Sequence, residues 1–232
     1  MSAIFPDDST LAAEIDAHAE DTGAAVYRLL VRGSDPNAAD PFDTHVVACI
    51  IAVSFSECCD GQRALTDATG LDPAELVSVV QELFPQATYL LPSLAELAPV
   101  RSPDEDCLLD LLRQCASDAS PFQQVLAKMV ARRAQSANHL WQDLGLCNRG
   151  ELSRLMARHF RPLAARNSND MKWKKFLYRM ICRDTGYAIC TAPSCSECVD
   201  FEICFGDESG ESRLARVRRA AEVGDVGANT SV

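Results

Sequence analysis

DMKWKKFLYRMICR, residues 170–183, sets the period of the chain. Trp173, Phe176, Leu177, Met180 and Ile181 recur at i, i+3, i+4, i+7 and i+8, the spacing of one helical face and not the alternation of a strand. The spacing predicts a helix over 170–183 with this apolar stripe turned to a core. Lys172, Lys175, Arg179 and Arg183 line another face. Packing accounts for the aromatics, whereas the basic stripe leads straight into a run of cysteines.

The same period extends toward the amino terminus, where apolar residues three and four apart predict helices over about 8–20, 22–32, 44–58, 72–84, 103–116, 121–134, 137–144 and 150–160. Breaks fall at Gly33-Ser34-Asp35-Pro36, Gly61, Pro85, Pro92 to Pro103, Gly145 and Gly186. Asp72-Pro73-Ala74-Glu75 offers a capping aspartate, proline at the first helical position and glutamate at the third, and Ser102-Pro103-Asp104-Glu105 repeats the arrangement. Long Val/Ile/Thr alternation is absent. The expected fold class is therefore all-α: a helical bundle with a C-terminal cysteine-rich metal-cluster loop and a disordered tail. Three regions are expected: an acidic helical region over 1–120, a helical region over 121–206 ending in the cysteine loop, and a polar, mobile tail over 207–232 with one helical stretch around Arg213 to Glu222.

With 232 residues, 47% of them hydrophobic, the chain can bury a core of its own. No run approaches the roughly 18 uncharged apolar residues that a membrane helix needs. MSAIFPDDST lacks the basic and apolar segments of a secretory signal. A cytoplasmic protein is expected. In that reducing setting eleven cysteines, an odd number, speak against a disulfide framework and for metal binding by clustered thiols.

Four of the thiols sit in CTAPSCSECVDFEIC, residues 190–204, where Cys190, Cys195, Cys198 and Cys204 follow the spacing C-x4-C-x2-C-x5-C. Thiolates are soft anionic ligands suited to zinc or to iron and its sulfide clusters. The central C-x2-C can grip one centre from a tight turn while the longer arms wrap round it. Structural zinc more often uses two such knuckles across a longer spacer, so one knuckle with unequal arms favours an iron–sulfur-type cluster, with zinc the alternative. Pro193, Tyr187, Phe201 and Phe205 would stiffen and shield the loop, or simply pack.

The net charge of −11 is unevenly spread. Residues 1–127 carry 21 acidic and 5 basic side chains, 128–183 carry 3 and 13, and 184–232 carry 9 and 4. A solvated helical surface explains part of the basic block; attraction for an anionic cluster, oxyanion or acidic partner explains the rest. The remaining cysteines, Cys49, Cys58, Cys59, Cys107, Cys115, Cys147 and Cys182, are expected to be buried free thiols. His18 and His45 look incidental, and His139 and His159 are read as core or cap histidines ahead of metal ligands.

HLWQDLGL (139–146), ELSRLM (151–156), LAARN (163–167), DMKWKKFLYRMIC (170–182) and CTAPSCSECVDFEICFG (190–206), in that order, resemble the NifQ family of nitrogen-fixing bacteria. The likeness covers about residues 135–206; over 1 to about 120 no family signature is placed. The resemblance implies a molybdenum–iron–sulfur protein in assembly of the nitrogenase iron–molybdenum cofactor, taking molybdenum that enters as molybdate and donating it to the cofactor scaffold and its reductase-type partner. It carries the cluster role to Cys190, Cys195, Cys198 and Cys204. Capture of molybdate by Lys172, Lys174, Lys175 and Arg179 is an inference from charge alone.

The expectation is thus a metallocluster carrier and molybdenum donor, not an enzyme. An iron–sulfur-containing nucleic-acid enzyme is disfavoured by the acidic chain and the lack of a Gly-rich hairpin, so no nucleic-acid or membrane partner is expected. A zinc-stabilised interaction module is the other alternative. Sequence signatures of hydrolases, nucleotide-binding loops and zinc proteases are missing.

Overall fold

The computed structural model describes residues 22–61, 63–91 and 98–184, together with Cys204 and Glu208. Among the described residues every regular element is helical and there is no strand, so the chain is all-α. In order these are α1 (Thr22–Arg32), α2 (Pro41–Cys59), α3 (Leu65–Thr69), α4 (Pro73–Leu83), a 3₁₀ turn (Pro85–Leu90), α5 (Pro103–Gln114), α6 (Pro121–Ala134), α7 (Leu140–Asp143), α8 (Arg149–His159), α9 (Arg161–Arg166) and α10 (Trp173–Asp184). The expected helix over 8–20, the part of the loop holding Cys190, Cys195 and Cys198, and the expected tail apart from Glu208 lie outside the described residues.

The core is organised on α2. Residues 44–56 carry no charge, and Val46 through Phe55 are buried without a break, so the helix is covered on every side. At 19 residues, with an 18-residue stretch of mean hydropathy 1.4, the helix is long and apolar enough by composition to cross a membrane, although its uncharged run is shorter; here the protein's own helices cover it. Asp40 starts it, accepting a hydrogen bond from the Phe42 N–H at 2.9 Å, with Pro41 in the first position. Helix α1 lies along α2, α5 pairs with α6, and α10 closes against α5. One apolar cluster runs from Val26 to Ile181, with contributions from both sides of position 120.

A fully buried cation stitches this core. Arg133 of α6 is 0% exposed, and its guanidinium grips the Glu57 carboxylate of α2 through two bonds of 2.8 Å. Its Nε–H donates to the Asp143 carbonyl at 2.6 Å, so one side chain joins α2, α6 and α7. A two-pronged pair of this kind is stable only because the guanidinium's donors find partners; leaving either charge alone would cost about 3–5 kcal/mol.

Local signals set most boundaries. Asp72 and Glu75 form the reciprocal cap at the start of α4, at 2.9 and 3.2 Å, and Ser102 caps α5. Helix α7 is shorter than the expected 137–144, because His139 takes an extended backbone and stands as its cap. It ends in a Schellman turn: Leu146 N–H reaches the Trp141 carbonyl at 2.9 Å, Gly145 N–H reaches that of Gln142 at 2.9 Å, and Gly145 sits at φ +73°. The short α3, α9 and the 3₁₀ turn after Leu83 were not anticipated, since elements of five or six residues show too little of the 3.6 period.

Candidate functional site

The described part of the cysteine run is anchored where α8 begins and α10 begins. Asn167 exchanges two hydrogen bonds of 2.9 Å with the Met171 backbone, and Asp170 takes φ +53°, a left-handed conformation that aspartate tolerates better than most residues. This turn brings Lys172 into place, and its backbone N–H donates to the Cys204 carbonyl at 2.8 Å. Cys204 is half-buried against the core. The last thiol-bearing residue of the run is therefore tied to the amino end of α10, where the helix dipole favours negative charge.

Arg149 reinforces the anchor. One arm of its guanidinium donates to Glu208 Oε2 at 2.7 Å, and the other to the Asp170 carbonyl and carboxylate, each at 2.7 Å. The Glu208 side chain is only 4% exposed, and its other oxygen lies 3.3 Å from His139 Nδ1. The chain just beyond Cys204 is thus bound to the helical body by a buried carboxylate. No part of this clamp is expected from the sequence, where Arg149 is counted only in the basic block and Glu208 falls in the tail read as mobile.

The four basic residues separate by environment. Lys175 is exposed, while Lys172, Lys174 and Arg179 are half-buried. Lys174 Nζ pairs with the fully buried Asp143 carboxylate and donates to the Ser136 carbonyl at 2.6 Å, with Asn138 completing Asp143 at 3.0 Å. Lys174 therefore fastens α10 to α7. Cys190, Cys195 and Cys198 lie outside the described residues. The donor set nonetheless suits an iron–sulfur cluster chemically: four thiols, of which Cys204 is placed beside the amino terminus of a basic helix.

The expectation of buried thiols elsewhere holds for Cys49 and Cys115 and fails for Cys59, Cys107 and Cys147, which are exposed, and Cys58, which is half-buried. Cys59 falls at the end of α2 and Cys147 on the turn before α8, where the helical period no longer predicts facing. His159 is a satisfied core histidine, 2.8 Å from Asp43 and 3.3 Å from Gln123. His45 is not incidental. It stands on α2 against Glu151 of α8, with Nε2 3.4 Å from Oε2, and against Tyr27 of α1, whose hydroxyl is 2.8 Å from Nδ1.

Around His45 the thiols of Cys49 and Cys147 close in. Cys49 Sγ is 3.7 Å from each ring nitrogen, one helical turn along α2. The donor atoms of His45, Cys147 and Glu151 all lie within 4.8 Å of one another. Burial, followed by the neighbouring Cys49, Cys147 and Glu151, pushes the Tyr27 phenol up to about 12. Burial and the Glu151 carboxylate likewise push the Cys147 thiol up.

Comparison with known proteins agrees with this ordering of residues. The family model described as NifQ matches residues 46–206, a span that starts inside α2 and runs through all four clustered cysteines. The chain belongs to the NifQ family. A NifQ homolog from Sinorhizobium fredii (strain NBRC 101917 / NGR234) is 42% identical over 187 residues, covering 80% of this chain and 78% of its own length. NifQ of Rhodobacter capsulatus is 37% identical over 178 residues, 75% of this chain and 97% of the relative. NifQ of Azotobacter vinelandii is 34% identical over 161 residues, 64% and 83% respectively. No solved structure matches the chain. The NifQ match reaches well upstream of the likeness legible from about residue 135, and takes in the central helix, the Arg133 knot and the cysteine run together.

Proposed function

We propose that this NifQ protein holds an iron–sulfur cluster on Cys190, Cys195, Cys198 and Cys204 and donates molybdenum for nitrogenase iron–molybdenum cofactor assembly. Family membership implies the coarser role, in nitrogen fixation and the handling of molybdenum. The observation that carries the finer one is that the NifQ match runs through the four-thiol spacing, whose last member is tied by its backbone to the amino end of a basic helix. The protein acts as a carrier, in the cytoplasm, with molybdate as the incoming cargo. Its partners are the cofactor scaffold and a nitrogenase reductase-type protein; nucleic acid and membrane are not among them.

Molybdate is a hard dianion, and its passage to a sulfur-rich setting needs reduction and exchange of oxygen for sulfide, chemistry that an iron–sulfide cluster supplies when bound. The chain's part is to hold charge and position. Lys172, Lys175 and Arg179 carry positive charge at the start of and along α10, whose amino end holds the Cys204 backbone. Lys174, engaged by Asp143, keeps α10 from turning, which fixes where its neighbours stand. The Arg149–Glu208 pair ties down the chain at position 208.

The test is anaerobic purification from cells given molybdate, with iron, molybdenum, zinc and acid-labile sulfide quantified beside an electron paramagnetic resonance spectrum. Iron and sulfide in the wild type, lost in Cys195→Ala and Cys198→Ala with the helical circular dichroism kept, support the cluster. Stoichiometric zinc without sulfide overturns it. Charge reversal at Lys172 and Lys175 addresses capture separately, and unaltered molybdenum loading would remove that role.

A further inference from the structure

The structure assigns a second, mononuclear metal site, for a borderline divalent ion of the zinc or ferrous class, to His45, Cys147 and Glu151. It is built from α2 and the α7–α8 turn and uses none of the four clustered cysteines, so it stands whether or not they hold a cluster. An imidazole, a thiolate and a carboxylate together form a donor set that suits such an ion and leaves a fourth position open. The geometry is close to what binding needs. Two atoms each roughly 2.0–2.1 Å from a tetrahedral ion are about 3.3–3.4 Å apart, and His45 Nε2 and Glu151 Oε2 are separated by 3.4 Å. The third donor, on the exposed Cys147, turns between rotamers without disturbing the core.

The surroundings are arranged as an outer shell arranges a metal ligand. Tyr27 Oη, 2.8 Å from His45 Nδ1, accepts a hydrogen bond from the Nδ1–H when Nε2 turns its lone pair to an ion, so it holds the ring's orientation. The Cys147 N–H donates to Glu151 Oε2 at 2.8 Å, and Asn148 Oδ1 accepts from the Glu151 N–H at 3.1 Å. These bonds hold turn and carboxylate as one unit. Gly145 lets that unit press against α2: a Cβ there would lie 2.8 Å from the Cys49 carbonyl oxygen. His45 and Glu151 side chains are 23% and 26% exposed, which leaves a path for an ion to enter.

Cobalt(II) titration of the full chain tests this, in a Cys195→Ser/Cys198→Ser background that disables the clustered thiols. One equivalent of cobalt with a thiolate-to-metal charge-transfer band is expected. Cys147→Ser should abolish the band, and Glu151→Gln should weaken binding by more than the ~10–100-fold that loss of an outer partner costs. Tyr27→Phe should weaken it by about 10–100-fold and keep the band, marking a positioning residue. Both Cys147 and Glu151 are at least partly exposed, so helical circular dichroism should be unchanged, and if one variant unfolds the other carries the test. No cobalt bound in the background, or a band that survives Cys147→Ser, overturns the site. Loss of the band on Cys49→Ala in place of Cys147→Ser also overturns the assignment.

Discussion

Replacing Gly145 with alanine should cost more than replacing Gly61, although both glycines occupy the left-handed region. Gly61, at φ +69°, has nothing within 4 Å of where a Cβ would stand, so Gly61→Ala carries only the conformational penalty, about 1–2 kcal/mol. Gly145, at φ +73°, carries the same penalty and a collision: the added Cβ would be 2.6 Å from Val53 Cγ2 and 2.8 Å from the Cys49 carbonyl oxygen. That carbonyl belongs to the middle of a helix covered on all sides, so neither partner can retreat cheaply, and overpacking adds about 1–3 kcal/mol. Gly145→Ala should thus lose about 2–5 kcal/mol. Urea unfolding at constant slope gives both values. Cobalt titration of the same proteins adds a local readout, because lifting the turn off α2 separates Cys147 from His45. Equal losses for the two variants would refute the close approach, and cobalt binding retained by a destabilised Gly145→Ala would refute its link to the metal ligands.

Three further outcomes are expected. Arg133→Met removes both guanidinium bonds from the buried Glu57 carboxylate and should cost about 3–5 kcal/mol in urea unfolding; a loss below about 1 kcal/mol would mean that the pair is dispensable. Arg149→Met and Glu208→Gln, combined in a double-mutant cycle, should show a coupling of about 1–3 kcal/mol, and additivity would mean that the segment after Cys204 is not docked as described. Asp72→Ala should cost about 1 kcal/mol near neutrality. The Glu75 N–H, above all, holds the Asp72 carboxyl below its usual 3.8. A depressed carboxyl contributes fully above its unfolded value and loses the contribution as pH falls through the folded one. The gap between wild type and variant should therefore close in acid, and a gap unchanged there would refute the cap.

The helical class was legible because long helices show their period: the stripe of Trp173, Phe176, Leu177, Met180 and Ile181 is buried as its spacing predicts. Starts at Asp72 and Ser102 were equally plain, since capping is written within four residues. Glu57 and Arg133 were not, because their pairing joins positions 76 apart and nothing local marks either as buried. His45 was missed for the same reason. Its helix advertises only apolar packing, while Glu151 comes from a segment 106 residues later, so the grouping exists only after α8 has crossed α2. Lys174 shows a subtler limit. Charge counting placed it with Lys172 and Lys175, but its position on α10 gives it a buried partner in Asp143.

The complete covering of α2 has a consequence for the birth of the chain. Cys59 leaves the ribosome 75 residues before Ala134 finishes the helix whose Arg133 meets Glu57. At synthesis rates of about 5–20 residues per second, that interval lasts roughly 4–15 s. During it a 19-residue greasy rod has only its earliest neighbours for company, and its exposed apolar surface is open to aggregation until its own shell arrives.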